Sequence, residues 1–408
     1  MRERARRAIA ECKLIAGFTE EPGRTTRRFL TPPVKDVHAH LRSRMEAMGM
    51  AVRVDAAGNL RGVWTPECAR EKRLLVGSHI DTVPDAGAYD GVLGVMLALE
   101  WVELAQEIGL KSPIEVIAFS EEEGVRYGVP FLGSRAVAGC FDARMLAYED
   151  ADGVRMDEAM RTFGLDPSAL ADAALNPAEV LGFVEMHIEQ GPVLETEDMQ
   201  LAVVTGIVGQ TRLGVRFTGQ ANHAGTTPMH LRHDALAAAA EWITAVEALA
   251  RREEKMLATV GKIDLRPNSA NVIPGQVDLS LDLRHMSNRV RSSCVNELMA
   301  DARRFAHPRG VEVETVVKLS EQSVKMDRYW SARLEIAFQK AGFPVKTMAS
   351  GAGHDAMIMA AKAPAAMLFL RSPGGISHHP AEAVREEDVE AALRVGQKFL
   401  EQLAAEVG

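Results

Sequence analysis

The chain predicts an α/β protein: a mixed, mostly parallel sheet sandwiched by helices, with a smaller α+β domain inserted into it. Three observations predict this. Strand-like apolar runs recur at residues 74–78, 114–119, 182–186 and 365–370, and several of them end in polar residues. Between the first two runs, Val92, Val95, Met96, Leu99 and Val102 recur at helical spacing. Over residues 210–322 the texture changes to alternating strands and long helices. Strands alternating with helices form a largely parallel sheet, and ligands gather at the carboxyl ends of such strands.

Taken in order, residues 1–209 form the first part of a catalytic domain, 210–322 the insertion, and 323–408 the second part. At the N-terminus Ile9, Ile15 and Phe18 suit an amphipathic helix, and Glu11 and Lys13 interrupt the apolar stretch that a secretory leader needs. The basic clusters Arg2–Arg7 and Arg24–Arg28 have Glu3, Glu20 and Glu21 among or beside them and read as solvated surface. In the insertion, Leu213, Val215 and Phe217 alternate as a half-buried strand, and the Ala-rich stretch 235–250 reads as a packed helix. Val277, Leu279, Leu281 and Leu283 alternate again, a helix covers about 287–306, and Val311, Val313 and Val316 suggest a last strand. This β-α-β-β-α-β order reads as ferredoxin-like.

Composition narrows the function. With 408 residues, 47% hydrophobic and 25% charged, the chain can bury a large core without a metal or disulfide staple. Its net charge of −9 speaks against a nucleic-acid partner. No apolar run is long enough to span a bilayer, so no membrane role is expected. Cys12, Cys68, Cys140 and Cys294 form no CxxC pair and suit reduced thiols in a cytoplasmic protein.

Chemistry-bearing residues stand at the strand ends. His79 and Asp81 form a His-x-Asp turn, in which a carboxylate can orient a ligating imidazole, although a plain surface turn fits as well. Asp90 starts a helix, where capping alone explains an acid; the neighbouring Gly91 and Gly94 permit close backbone approach. Glu121, Glu122 and Glu123 repel one another beside an apolar strand unless a cation joins them. Glu185, His187 and Glu189 share a strand face, and His378 and His379 follow a Gly-Gly loop. Together these supply nitrogen and oxygen ligands without thiolates. That set suits two ions, such as Zn²⁺ or Mn²⁺, sharing one carboxylate.

At this point the residues resemble a known family, the amidohydrolase branch of the M20 metallopeptidases. The motifs that carry the resemblance are GSHIDTV, YDGVLGV, SEEEGVRY, FLGSRAVAG, EMHIEQGPVLE, GQANHAGTTPM, PNSANVIPG, LDLRH, SGAGHDAM and GISHHPAE, in that order from Gly77 to Glu382. The resemblance implies a zinc-exopeptidase-like fold whose insertion serves as a lid and dimerisation domain. It implies two divalent ions per subunit, held by His79, Asp90, Glu123, His187 and His378, with Asp90 bridging. Glu122 is then the general base and Asp81 orients His79. His223 stabilises the oxyanion, donated across a homodimer. Asn271 and Arg284 hold a substrate carboxylate, and Gln190 and His354 line the pocket. Arg284 can instead pair with Asp282 or Glu297. His379 stands where the family pattern has Asn, so both histidines remain ligand candidates, with His378 favoured.

The implied activity is hydrolysis of a ureido or carbamoyl C–N bond in a small carboxylate substrate. The segment Arg27–Pro32 resembles the start of allantoate and ureidoglycolate amidohydrolases and points to allantoate. N-carbamoyl-L-amino acids and β-ureidopropionate are the alternatives. An M20 peptidase or deacylase, or a non-catalytic binding protein on the same fold, lies further off.

Overall fold

The four apolar runs become neighbouring parallel strands. In the computed structural model, which describes residues 1–405, Ile114–Phe119, Arg73–His79, Val180–Ile188 and Ala365–Leu370 lie side by side in that order. All three pairings between them are parallel. Such strands are covered on both faces, which is why they read as continuous apolar runs; Ile114–Phe119 and Ala365–Leu370 are buried at every residue. Antiparallel strands extend the sheet on both sides, Leu60–Trp64 and Ala51–Val54 beyond one edge, Leu201–Ile207 beyond the other.

Helix Val92–Ile108 follows strand Arg73–His79 and is buried almost all round. It packs within one core with Leu74, Val76, Val184, Met186, Leu368 and Phe399. Helices Pro32–Ala47, Arg328–Ala341 and Glu386–Ala405 complete the layers and lack a pattern strong enough to be singled out in the sequence.

Two sequence expectations need correction. Phe18 lies beyond the first helix, which ends at Ala16. The basic clusters are not simply solvated. Arg4 and Arg7 join Arg44 around the fully buried Glu100 of the central helix. Arg27 is completely buried, and its guanidinium donates to the carbonyls of Ile15, Phe18 and Ile80. It satisfies the end of one helix and the end of one strand together.

The chain divides into two compact units: Met1–Thr205 with the chain from Lys325 onward, and Gly206–Val324. In the second unit the strand order is Glu312–Glu321, Gly209–Thr218, Gln276–His285, Leu257–Arg266, all antiparallel. Leu213, Val215, Phe217 and Leu281 project to the face packed with helices Ala235–Arg252 and Asn288–Ala306. The Trp242 indole donates to the Leu298 carbonyl at 2.8 Å, joining the two helices. Among the described residues no helix is long and apolar enough to cross a membrane, and the four cysteines are free.

Candidate metal centre

His79 closes its strand, and His187 lies near the end of the neighbouring one. Asp90 precedes the central helix. Gly91 between them has φ +66°, and a Cβ there would overlap the His79 ring, so only glycine lets imidazole and turn pack this closely.

The tautomers decide what this corner can bind. His79 Nδ1 is 3.0 Å from the Asp81 carbonyl, and His187 Nδ1 is 2.9 Å from the Ile188 carbonyl. A carbonyl only accepts, so each neutral ring carries its proton on Nδ1 and turns the Nε2 lone pair inward. The two Nε2 atoms are 3.4 Å apart. Asp90 Oδ1 lies 3.1 Å from His187 Nε2 and 3.7 Å from His79 Nε2, and it is buried without a hydrogen-bond donor. Three lone-pair atoms therefore face one another with nothing positive between them, the arrangement a cation completes. Without an ion, protons take its place. Burial acts to lower the His79 pKa, yet Asp81 and Asp90 outweigh it and raise it well above the usual value. Burial acts to raise Asp90, and bonds from His187, His378 and His79 instead hold it well below the carboxylate range.

A second half shares Asp90. His378 Nε2 is 3.1 Å from Asp90 Oδ2 and 3.3 Å from Glu123 Oε1. These two carboxylates raise the imidazole to about 10, the bond to Asp90 first. Gln190 Nε2 donates to Asp90 Oδ2 at 3.1 Å, so Gln190 sits against the shared carboxylate. His379 is turned away, its Nδ1 accepting the Ala381 amide at 3.1 Å. Among the described residues, three groups could hold a metal ion: His79, Asp90 and His187; His79, Glu122 and Glu123; Asp90, Glu123 and His378. The residues fit a divalent ion by their donors and by the orphaned Asp90 oxygen.

The acidic run splits in two directions. Glu121 adopts φ +48° and turns away, accepting the amides of Phe29 at 3.2 Å and Arg126 at 2.9 Å. Burial is the main reason its carboxyl is pushed up to about 8. Glu122 stays with the cluster, almost buried. Burial raises its pKa well above 4.5, with His79 opposing and Glu123 reinforcing. Asp81 holds the run in place: its carboxylate accepts the amides of Glu122 at 2.9 Å and Glu123 at 3.0 Å. The expected carboxylate grip on His79 is looser, at 3.5 Å, because those amides occupy the oxygens and the Asp81 carbonyl takes the ring proton.

Other expected site residues stand elsewhere. His354 is buried behind the cluster, its ring 4.5 Å from that of His187 and its Nε2 2.8 Å from Ser350 Oγ. Burial and the neighbouring His187 keep it well below the usual histidine pKa. In the second unit, strand pairing joins His223 to Val272, and the Ala224 amide donates to the Asn271 carbonyl. His223 is exposed, and its Nδ1 accepts the Gly225 amide at 3.1 Å, so Nε2 carries the proton and can donate outward. Arg284 is engaged by Asp282 through Nε at 2.9 Å and Nη2 at 3.0 Å. That fork, expected for a substrate carboxylate, meets an internal one, because residues two apart on a strand share a face. Glu189 caps the turn after its strand, accepting the Val193 and Leu194 amides.

Sequence reasoning missed Ser377 and Glu382. Both belong to the GISHHPAE motif, where the histidines drew attention from them. Glu382 accepts the amides of Tyr89 and Asp90, and Ser377 Oγ donates to Glu382.

Such a donor set beside the carboxyl ends of parallel strands suits a metal-dependent hydrolase. The chain belongs to the peptidase family M20/M25/M40, whose model matches residues 75–402. Within that family it is similar to a probable allantoate deiminase of Oryza sativa, 36% identical over 98% of this chain and 88% of the relative. It is also similar to an N-carbamoyl-L-amino acid amidohydrolase of Geobacillus stearothermophilus, 39% identical over 94% of each. Among solved structures, a hydantoinase/carbamoylase-family amidase from Burkholderia multivorans superposes with a TM-score of 0.92 at 31% identity, covering 98% of both chains.

Proposed function

We propose that this chain hydrolyses a ureido or carbamoyl C–N bond in a small carboxylate substrate, with allantoate the leading candidate. The observation that carries the reading is the buried convergence of His79, His187 and the unpartnered Asp90 oxygen beside Glu122. Two divalent ions, Zn²⁺ or Mn²⁺, would supply polarisation of the ureido carbonyl and acidification of water. His79 and His187 would hold one and Glu123 and His378 the other, with Asp90 contributing to both.

Glu122 takes a proton from the attacking water and returns it to the leaving nitrogen. Burial raises its pKa well above the ordinary carboxylate value, which favours its holding the proton before the return. The C–N bond breaks as water's oxygen bonds to the carbonyl carbon, and ammonia and carbon dioxide leave directly or through carbamate. His223, with its proton on Nε2, donates to the developing oxyanion. We assign that role across a homodimer, in which each subunit's His223 serves the partner. Mixing His223→Ala with Glu122→Gln subunits tests this: heterodimers regain part of the activity, and none returns if each site is self-contained. Asn271 and Arg284 bind the carboxylate, with Asp282 holding the guanidinium ready. Gln190 and His354 shape the pocket around the shared Asp90 and His187.

The similarity to the Geobacillus enzyme favours a second reading, hydrolysis of N-carbamoyl-L-amino acids. The segment Arg27–Pro32 weakens the allantoate argument, since Arg27 and Phe29 are buried: the Arg27 guanidinium holds main-chain carbonyls, and the Phe29 amide donates to Glu121. The deciding experiment is ammonia release by metal-reconstituted protein on allantoate, ureidoglycolate, β-ureidopropionate and N-carbamoyl amino acids, with a dipeptide control. Preferential turnover of allantoate is expected. Turnover of the dipeptide alone overturns the whole reading.

A further inference from the structure

One buried carboxylate touches the cluster from behind and has no part in the chemistry above. Glu382 is 6% exposed. Its Oε1 accepts two consecutive amides, Tyr89 at 2.8 Å and Asp90 at 3.0 Å. Its Oε2 accepts the Ser377 hydroxyl at 3.1 Å. Ser377 Oγ also lies 3.4 Å from Asp90 Oδ2 and receives Gln190 Nε2 at 3.3 Å. The residue after Ser377 is His378, which has φ +55° and a side chain 47% exposed. One carboxylate thus grips the turn that carries Asp90 and the loop that carries His378.

Those two segments have few other ties. His79 and His187 need none, because they sit on paired strands and are fixed by main-chain carbonyls. His378 follows Pro373–Gly375, a turn in which Gly374 and Gly375 both have positive φ. Side chains from outside that turn set the distance from His378 to Asp90: Glu195 accepts the Gly374 amide, Gln190 bridges Asp90 and Ser377, and Glu382 joins Ser377 to the Asp90 amide. The fold makes room for the last of these: a Cβ at Gly87 would overlap the Cβ and carboxyl carbon of Glu382.

We propose that Glu382 is a positioning residue that ties Asp90 to the His378 loop and so sets the outer half of the cluster, Asp90–Glu123–His378, bearing on the inner half only through Asp90. The proposal rests on the two-ion reading above. It assigns Glu382 no contact with substrate.

The test is titration of Co²⁺ into the metal-free, full-length protein, followed by calorimetry and by the visible absorption of the bound ion. The wild type binds in two steps. Supporting shells around metal ligands are worth roughly 10–100-fold in affinity, so Glu382→Ala weakens the looser step by roughly tenfold or more relative to the tighter one. Gly87→Ala does the same by displacing the side chain. Glu382→Gln, whose amide oxygen still accepts both backbone amides, keeps the ratio near that of the wild type. A general loss of structure lowers both steps alike, so an unchanged ratio in Glu382→Ala and Gly87→Ala overturns the proposal. Should Glu382→Ala not fold, Gly87→Ala and Ser377→Ala carry the same comparison. A single step in the wild type sinks the two-ion reading itself, which separates that failure from this one.

Discussion

The inner and outer halves of the cluster share Asp90 and differ in how they are built. His79 and His187 are each 2% exposed, end neighbouring strands, and have their tautomers set by main-chain carbonyls. His378 is half exposed, sits on a glycine-rich loop, and meets its partners only through side chains. The sheet holds two of the three ligands of the inner half, His79 and His187. The outer half takes His378 from a loop held by side-chain contacts. Preorganisation of this kind lowers the cost of binding, so the inner half is expected to hold its ion more tightly.

The largest effect comes from the shared residue. Asp90→Asn keeps the shape and removes the charge that both halves need. Ion content falls to background at both positions, and hydrolysis falls with it; retention of either ion, read by metal analysis, contradicts a shared carboxylate. The next test separates the halves. His187→Ala is expected to lose the tightly held ion, whereas His378→Ala loses only the loosely held one and keeps one equivalent after dialysis. Equal losses in both variants erase the distinction.

The smallest effect is in pH. The folded pKa of His378, about 10, stands above the 6.5 of an unconstrained histidine. Its stabilising contribution in metal-free protein is therefore fully present below pH 6.5 and lost as pH rises through 10. The thermal midpoint of metal-free protein falls across that window, and the fall is shallower in His378→Ala. Ion binding to the outer half must displace the same proton, so its affinity rises over the same range. A slope identical in wild type and variant removes His378 as its source.

The difference between the halves also explains what could be read beforehand. His79, the acidic run and His187 were legible because apolar strands running into polar residues mark strand ends. The ordering Glu122 and Glu123 inward, Glu121 outward came from the family resemblance and not from the residues themselves, since it depends on the positive φ at Glu121 and on the amide of Phe29, 92 residues away. Arg27 looked like surface for a similar reason: the carbonyls that bury it belong to residues 15, 18 and 80. The Arg284–Asp282 pair was open to anticipation, because their spacing puts them on one strand face. Glu382 was not, because its partners lie some 290 residues earlier.

Residues 25–30 thread along the back of the inner half. Thr25 bridges to Ala86, Arg27 exchanges bonds with Thr82, and Phe29 donates to Glu121. The segment is scaffolding, and the demands on scaffolding come from the fold rather than from the molecule being turned over. Two enzymes can therefore keep it unchanged while diverging in diet. Its presence therefore says nothing of the substrate, and the choice between one ureide and another rests with residues that face the ligand.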